Sequence, residues 1–209
     1  MVESRTSVRF ILCLVPRVSE DHLTARREQI LAAARTCFLN KGLHNTSMQD
    51  LIKEAGLSVG AVYRYFKSKN DIINAIAVNV AGGFQQHIEA VADLRLPLGE
   101  SLDRVLQGIE TQIGPEGNFP IALQVWAEAM LDPTIGEIVR DRYNGLRGSV
   151  RRLVVQAVQS GELPAHTDID AVTTALFGTI PGFALQRVLT GYPDRATYMA
   201  GMRALLNRS

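Results

Sequence analysis

The chain has 209 residues, room for one large domain or two small ones, with 46% hydrophobic and 6% aromatic residues, an ordinary globular balance. A formal net charge of only +1 argues against a protein that coats nucleic acid through many phosphate contacts. No apolar run reaches the roughly twenty residues that a membrane span needs, so no membrane partner is expected.

Residues 1–20 are expected to form a flexible N-terminal extension. The stretch VRFILCLV at 8–15 is apolar, with Arg5 before it and Arg9 inside it. It lacks the cleavage site of a secretory signal. It reads as a segment translated upstream of a working start near Val18, or as a basic arm in which Arg5 and Arg9 reach along DNA. The two cysteines, Cys13 and Cys37, have no regular spacing, which suits a cytoplasmic setting. Cys37 shares a helical face with Ile30, Ala34 and Phe38 and reads as a small core residue.

Residues 46–69, TSMQDLIKEAGLSVGAVYRYFKSK, carry the most information. Ser47 with Asp50 three residues on forms a capping-box pattern. Met48, Leu51, Ile52 and Ala55 then fall on one helical face. Gly56 supplies a C-cap, Leu57 plugs the turn and Ser58 caps a second short helix. Val59, Val62 and Phe66 continue the buried face, while Gly60, Ala61, Tyr63 and Arg64 point outward. Ser68 with Asp71 starts a further helix. Two packed core helices would show the same apolar pattern. The outer face favours a helix–turn–helix that presents one helix to the major groove of DNA. Gly60 and Ala61 allow close approach, and Tyr63, Tyr65, Lys67 and Lys69 gather donors where phosphates would lie.

Charge is distributed accordingly. Residues 1–75 carry 11 Lys and Arg against 7 Asp and Glu, and residues 76–209 carry 11 against 14. All four lysines lie in the first part. A basic module on a mildly acidic body suits a module that meets phosphate, although charge scatter alone can give a difference of this size.

Beyond Ser68 the sequence reads as helical almost throughout. Ile72, Ile73, Ile76, Ala77 and Val80 form a stripe. Gly82 and Gly83 interrupt it, and a close helix contact is expected there rather than a hinge. The stretch at 95–99 ends this helix. Further helices are expected at 100–113, 120–131, 133–160, 168–190 and 194–207, separated by breaks at 114–118 and 161–167, with Asp168 as a cap. Pro181 should kink the helix that contains it. No run alternates as a strand does, so the fold class is all-α.

The segments TARREQILAAARTCFLNKG, NTSMQDLIKEAGLS and VGAVYRYFKSKNDII together resemble the DNA-binding domain of the TetR family of bacterial transcriptional regulators, over about fifty residues. AVYRYFKSK is the most specific part. The resemblance implies an N-terminal three-helix DNA-binding domain, at 21–68, and a larger helical effector-binding and dimerisation domain, at 69–209. It implies that Ser47 caps and touches DNA, that Val59, Gly60, Ala61 and Tyr63 face base edges, and that Tyr65 and Lys69 hold phosphates. Ile52 stands where the family usually has Ala, and Ala61 where it often has Thr. Base reading is therefore expected to lean on thymine methyls and on Gln49 and Arg64, beside Ser58 and Lys67 at the ends of the helix.

The resemblance also implies a small-molecule effector in the C-terminal body and pairing of the last two helices with those of a second copy. Candidate pocket residues are Phe119, Gln124, Trp126, Glu128, Met130, Tyr143, Arg147, Phe183 and Gln186, an apolar and aromatic set with a few polar groups. Candidate dimer residues are Val172, Leu176, Ile180, Leu185 and Leu205. The stripe Ile169, Val172, Leu176 and Ile180 equally suits an intramolecular core. A homodimer has its own physical motive, because two modules about 34–36 Å apart reach successive major grooves.

The expected function is that of a sequence-specific DNA-binding regulator, a repressor released from an inverted-repeat operator when an effector shifts the helix starting after Ser68. An effector-independent regulator is the alternative. A helical enzyme is disfavoured, since no Ser, His or Asp sits in a recognisable nucleophile or phosphate-loop context. No metal or other cofactor is expected, as His22, His44, His87 and His166 are scattered.

Overall fold

Several helix starts in this chain are set by capping side chains that satisfy the N–H groups a helix leaves unbonded. The computed structural model describes residues 20–114 and 117–206. The extension, with Arg5, Arg9 and Cys13, lies outside the described residues, apart from residue 20, which opens the first helix. That helix, α1 (Glu20–Lys41), begins four residues earlier than the motif at Thr24. After a short loop, Ser47 N donates to Asp50 Oδ2 at 2.9 Å while Asp50 N donates back to Ser47 Oγ at 3.2 Å, opening α2 (Met48–Ala55). The Lys41 ammonium, 2.5 Å from Asp50, and the Ser47 hydroxyl hold the Asp50 carboxyl well below the usual carboxylate range. Gly56 ends α2 at φ 64°, a left-handed conformation that glycine adopts without Cβ strain. Ser58 Oγ accepts from Ala61 N to start α3 (Val59–Tyr65). A second capping box, Ser68 with Asp71, starts α4 (Lys69–Asp93).

At 25 residues, α4 is about 37 Å long and is shared by two cores. Ile72, Ile73 and Ile76 pack with α1, α2 and α3 around Ile30, Phe38, Leu51 and Val62. That first core also takes in Ile121, Val125 and Ile135 from later helices, so residue 68 is not a packing boundary. Ile88, Val91 and Ala92 belong to the second core, with α5 (Leu98–Ile113), α7 (Pro133–Gln159), α8 (Ile169–Thr190) and α9 (Arg195–Leu206). Between α5 and α7 lies the short α6 (Phe119–Ala129). Asp132 caps α7 and Asp168 caps α8, and α8 continues through Pro181.

The described residues contain no strand, and the fold is all-α. No helix among them is long and apolar enough to cross a membrane. The close contact expected at Gly82 and Gly83 is not found. A Cβ at either would meet nothing within 4 Å, and α4 passes both as an unbroken helix. Packing does demand glycine elsewhere: a Cβ at Gly117 would fall inside van der Waals contact of the Gln112 carbonyl, and one at Gly108 would meet the His87 ring.

Candidate nucleic-acid interface and ligand cavity

The inner side of α3 is Val62, fully buried, followed by Phe66, also buried and overlaid by the Arg27 guanidinium 5.4 Å from its ring centre. Val59 was expected on this buried side. It is instead 60% exposed, and Val62, one turn on, is the fully buried position of α3. Gly60, Arg64 and Tyr63, the last 37% exposed, share the outer side with Val59, and Ala61 is half-buried. Arg64 has no ion-pair partner among the described residues. Ser47 and Gln49 are exposed at the start of α2, and Ser58 is exposed at the start of α3.

The lysines are more committed than their spacing suggests. Lys67 Nζ donates to Tyr63 O at 2.7 Å, placing a cation on the C-terminal carbonyls of α3, where the helix dipole favours it. Lys69 Nζ donates to Leu43 O at 3.0 Å in the loop before α2. Each ammonium keeps two further N–H groups for other acceptors. Tyr65 is half-buried against the first core.

A cavity of about 140 Å³ lies in the body, walled by α4, α6, α7 and α8 with the end of α5. Two edge-to-face pairs line it, Phe119 with Trp126 at 5.7 Å and Tyr143 with Phe177 at 4.6 Å between ring centres. Among the described residues, the lining side chains that carry polar groups include Gln112 and Asn118, hydrogen-bonded to each other at 3.3 Å, Tyr143 and Arg142. No carboxylate lines it among the described residues.

Of the nine expected pocket residues, Phe119, Trp126 and Tyr143 are in this wall; the other six are placed elsewhere. Gln124 points the opposite way, toward α1: Leu43 N donates to its Oε1 at 2.6 Å, and its Nε2 donates to Phe38 O at 3.2 Å. Glu128, one turn on, lies 4.0 Å from His44 Nδ1. Met130 is 85% exposed beyond the end of α6. Arg147 donates to Thr174 Oγ1 across the outside of α7 and α8. Phe183 is fully buried in the second core, its ring 5.1 Å from that of Tyr198. Gln186 is exposed and donates back to Gly182 O. The cavity residues that sequence reading missed on α4 had a signal: Ile76, Val80 and Phe84 recur every four residues. Arg142 had none.

The dimer candidates divide in the same way. Leu176 and Ile180 are buried within the chain, and Ile180 reaches the cavity, so both serve the intramolecular core. Val172 is half-buried on the same core. The stripe they belong to is the inward face of α8. The outward face carries Thr174, Gly178, Leu185 and Leu189, all exposed, and Leu205 on α9 is 72% exposed.

Two family models match this chain: that of bacterial regulatory proteins of the tetR family over residues 30–76, and that of the C-terminal part of BetI-type transcriptional repressors over residues 116–208. The chain is 27% identical over 155 residues to the fatty acid metabolism regulator protein of Bacillus subtilis, covering 73% of this chain and 78% of that one. Its fold is similar to that of FadR from Bacillus subtilis in complex with stearoyl-CoA, at a TM-score of 0.73 and 22% identity, covering 87% and 97% of the two chains. It is similar also to a transcriptional regulator from Saccharomonospora viridis in complex with choline, at a TM-score of 0.69 and 24% identity, covering 89% and 97%. An exposed recognition-type helix on a capped three-helix module, a helical body behind it and these two matches together make the chain a DNA-binding transcriptional regulator of the TetR family.

Proposed function

We propose that this regulator is a cytoplasmic repressor that holds an inverted-repeat operator as a homodimer and leaves it when a small molecule fills the cavity. In this reading Val59, Gly60, Ala61 and Tyr63 meet base edges, with Gln49 and Arg64 beside them. Ser47, Tyr65, Lys67 and Lys69 hold the backbone. Similar proteins seen with stearoyl-CoA and with choline support a ligand in the body.

The observation that carries the proposal is the double duty of α6. One of its faces, with Phe119, Val125 and Trp126, walls the cavity. The other is bonded to the DNA-binding module through Gln124 to Leu43 and Phe38, and Arg35 Nη2 donates to Gly117 O just before α6 at 3.1 Å. A ligand that displaces α6 therefore pulls on the end of α1 and on the loop that leads into α2. This adds a second route to the shift of α4. The ligand must bind the released conformation more tightly for any release to follow. A coupling of about 1–3 kcal/mol changes operator affinity roughly 5- to 150-fold.

Selection of bound sequences from a random DNA pool should return an inverted repeat whose half-sites lie about one helical turn apart. Enrichment of a single asymmetric half-site, or of nothing, would contradict the proposal. Gln124→Leu tests the coupling. It leaves the Leu43 N–H without its acceptor and should lower stability by about 1–3 kcal/mol in urea unfolding. It should also weaken release by any ligand that fills the cavity while keeping ligand affinity. Release with the wild-type dose response would remove Gln124 from the route.

A further inference from the structure

The geometry points to an effector that is a small organic acid with an apolar body the size of one ring, the body enclosed by the aromatic cavity and the carboxylate held at its edge by Arg142. This inference rests on the cavity being the effector site. Four rings, those of Phe119, Trp126, Tyr143 and Phe177, face a space of about 140 Å³. A dry apolar cavity of about 150 Å³ accepts benzene, so one ring or a short branched chain is the body that fits. A long acyl chain needs several times that volume.

Charge selects the head. Among the described residues, Arg142 is the single ionised side chain of the lining. It is exposed and takes part in no ion pair among the described residues. The cavity surface itself is almost wholly apolar, so Arg142 borders it through its methylene stem, and its guanidinium, in water at the exposed mouth, can close with two parallel hydrogen bonds on a carboxylate that projects from the cavity. The same cation repels a quaternary ammonium, and no carboxylate in the described lining offsets that repulsion. The amides of Gln112 and Asn118 are turned to each other, which leaves few groups to satisfy a polyhydroxylated ligand.

Three probes that share a benzyl body separate the terms: phenylacetate, phenylacetamide and benzyltrimethylammonium. Trp126 is the only tryptophan and lies in the wall, so its fluorescence reports occupancy directly. Phenylacetate should bind about tenfold or more tightly than the amide, with the ammonium weakest. Arg142→Gln should bring the acid down to the level of the amide, and Arg142→Lys should restore part of the difference. If the amide or the ammonium matches the acid in the wild type, the cavity is a ligand site and the assignment of an acid is wrong. If none of the three changes Trp126 emission at millimolar concentration, the cavity is not the effector site and the assignment falls with it.

Discussion

Replacing Gly60 by glutamate should abolish operator binding and leave the fold intact. A Cβ at Gly60 meets nothing within 4 Å, and the residue is exposed in the first turn of α3, which holds no acidic residue. Folding therefore gains from the change. Glycine in a helix is worse than alanine by about 0.5–1 kcal/mol, and an anion in the first turn is favoured by the dipole. Docking loses. In the proposed docking the backbone of α3 comes close to the groove wall at this point, and a carboxylate there would meet the phosphates of both strands. Like charges brought together at an interface cost several kcal/mol, and the proposed dimer would carry the change twice. Operator affinity should fall by about a thousandfold or more, since each 1.4 kcal/mol is a factor of ten. Fluorescence anisotropy on the operator at fixed salt measures this, with thermal unfolding as the control. A variant that melts at or above the wild-type temperature and still binds the operator would show that α3 does not enter the groove. A variant that melts far lower would show that Gly60 is a packing residue.

The ease with which α3 could be found in the sequence has a physical reason. The helix starts at the Ser58 cap on Ala61 N and is bracketed by equally local signals, Ser47 with Asp50 and Gly56 at the two ends of α2 and Ser68 with Asp71 at the start of α4. Such signals need no knowledge of distant residues. Sidedness is harder to read when a helix is short: Val59 sits three residues before Val62, as a buried neighbour would, yet the module ends before covering it. The cavity was half legible for a related reason. The four rings cluster because apolar bulk gathers in the body, but successive residues on a helix point about 100° apart. Gln124 therefore faces α1 while its neighbour Val125 and the next residue, Trp126, face the cavity. A sequence shows that a polar residue lies on α6 and not which neighbour it serves. Gly82 and Gly83 mislead in the opposite direction, since the absence of a side chain suggests a contact that no neighbouring helix makes.

The same ambiguity governs α8, where core and interface both demand apolar residues, and Gly178→Arg resolves it. Leu176 and Ile180 face inward, so a charge at either would unfold the protein and say nothing about assembly. Gly178 lies on the opposite side, exposed, with open space around a Cβ. One helical face there runs Thr174, Gly178, Leu185 and Leu189, small toward one end and bulky toward the other. A two-fold interface uses the same patch on both subunits, so an arginine at Gly178 puts a bulky charge into the contact twice as the surfaces close. The isolated chain accommodates it, because arginine in a helix is more favourable than glycine by roughly 0.5–1 kcal/mol. If the wild type is the proposed dimer, sedimentation should show Gly178→Arg as a folded monomer at the same concentration. Operator affinity should fall by about 10²- to 10⁴-fold, the advantage that linking two modules confers, while binding to a single half-site stays as in the wild type. A Gly178→Arg protein that still sediments as a dimer and holds the full operator would move the mating surface away from the outward face of α8. Loss of half-site binding as well would mean that the change reaches the first core through α4, which packs with both ends of the molecule.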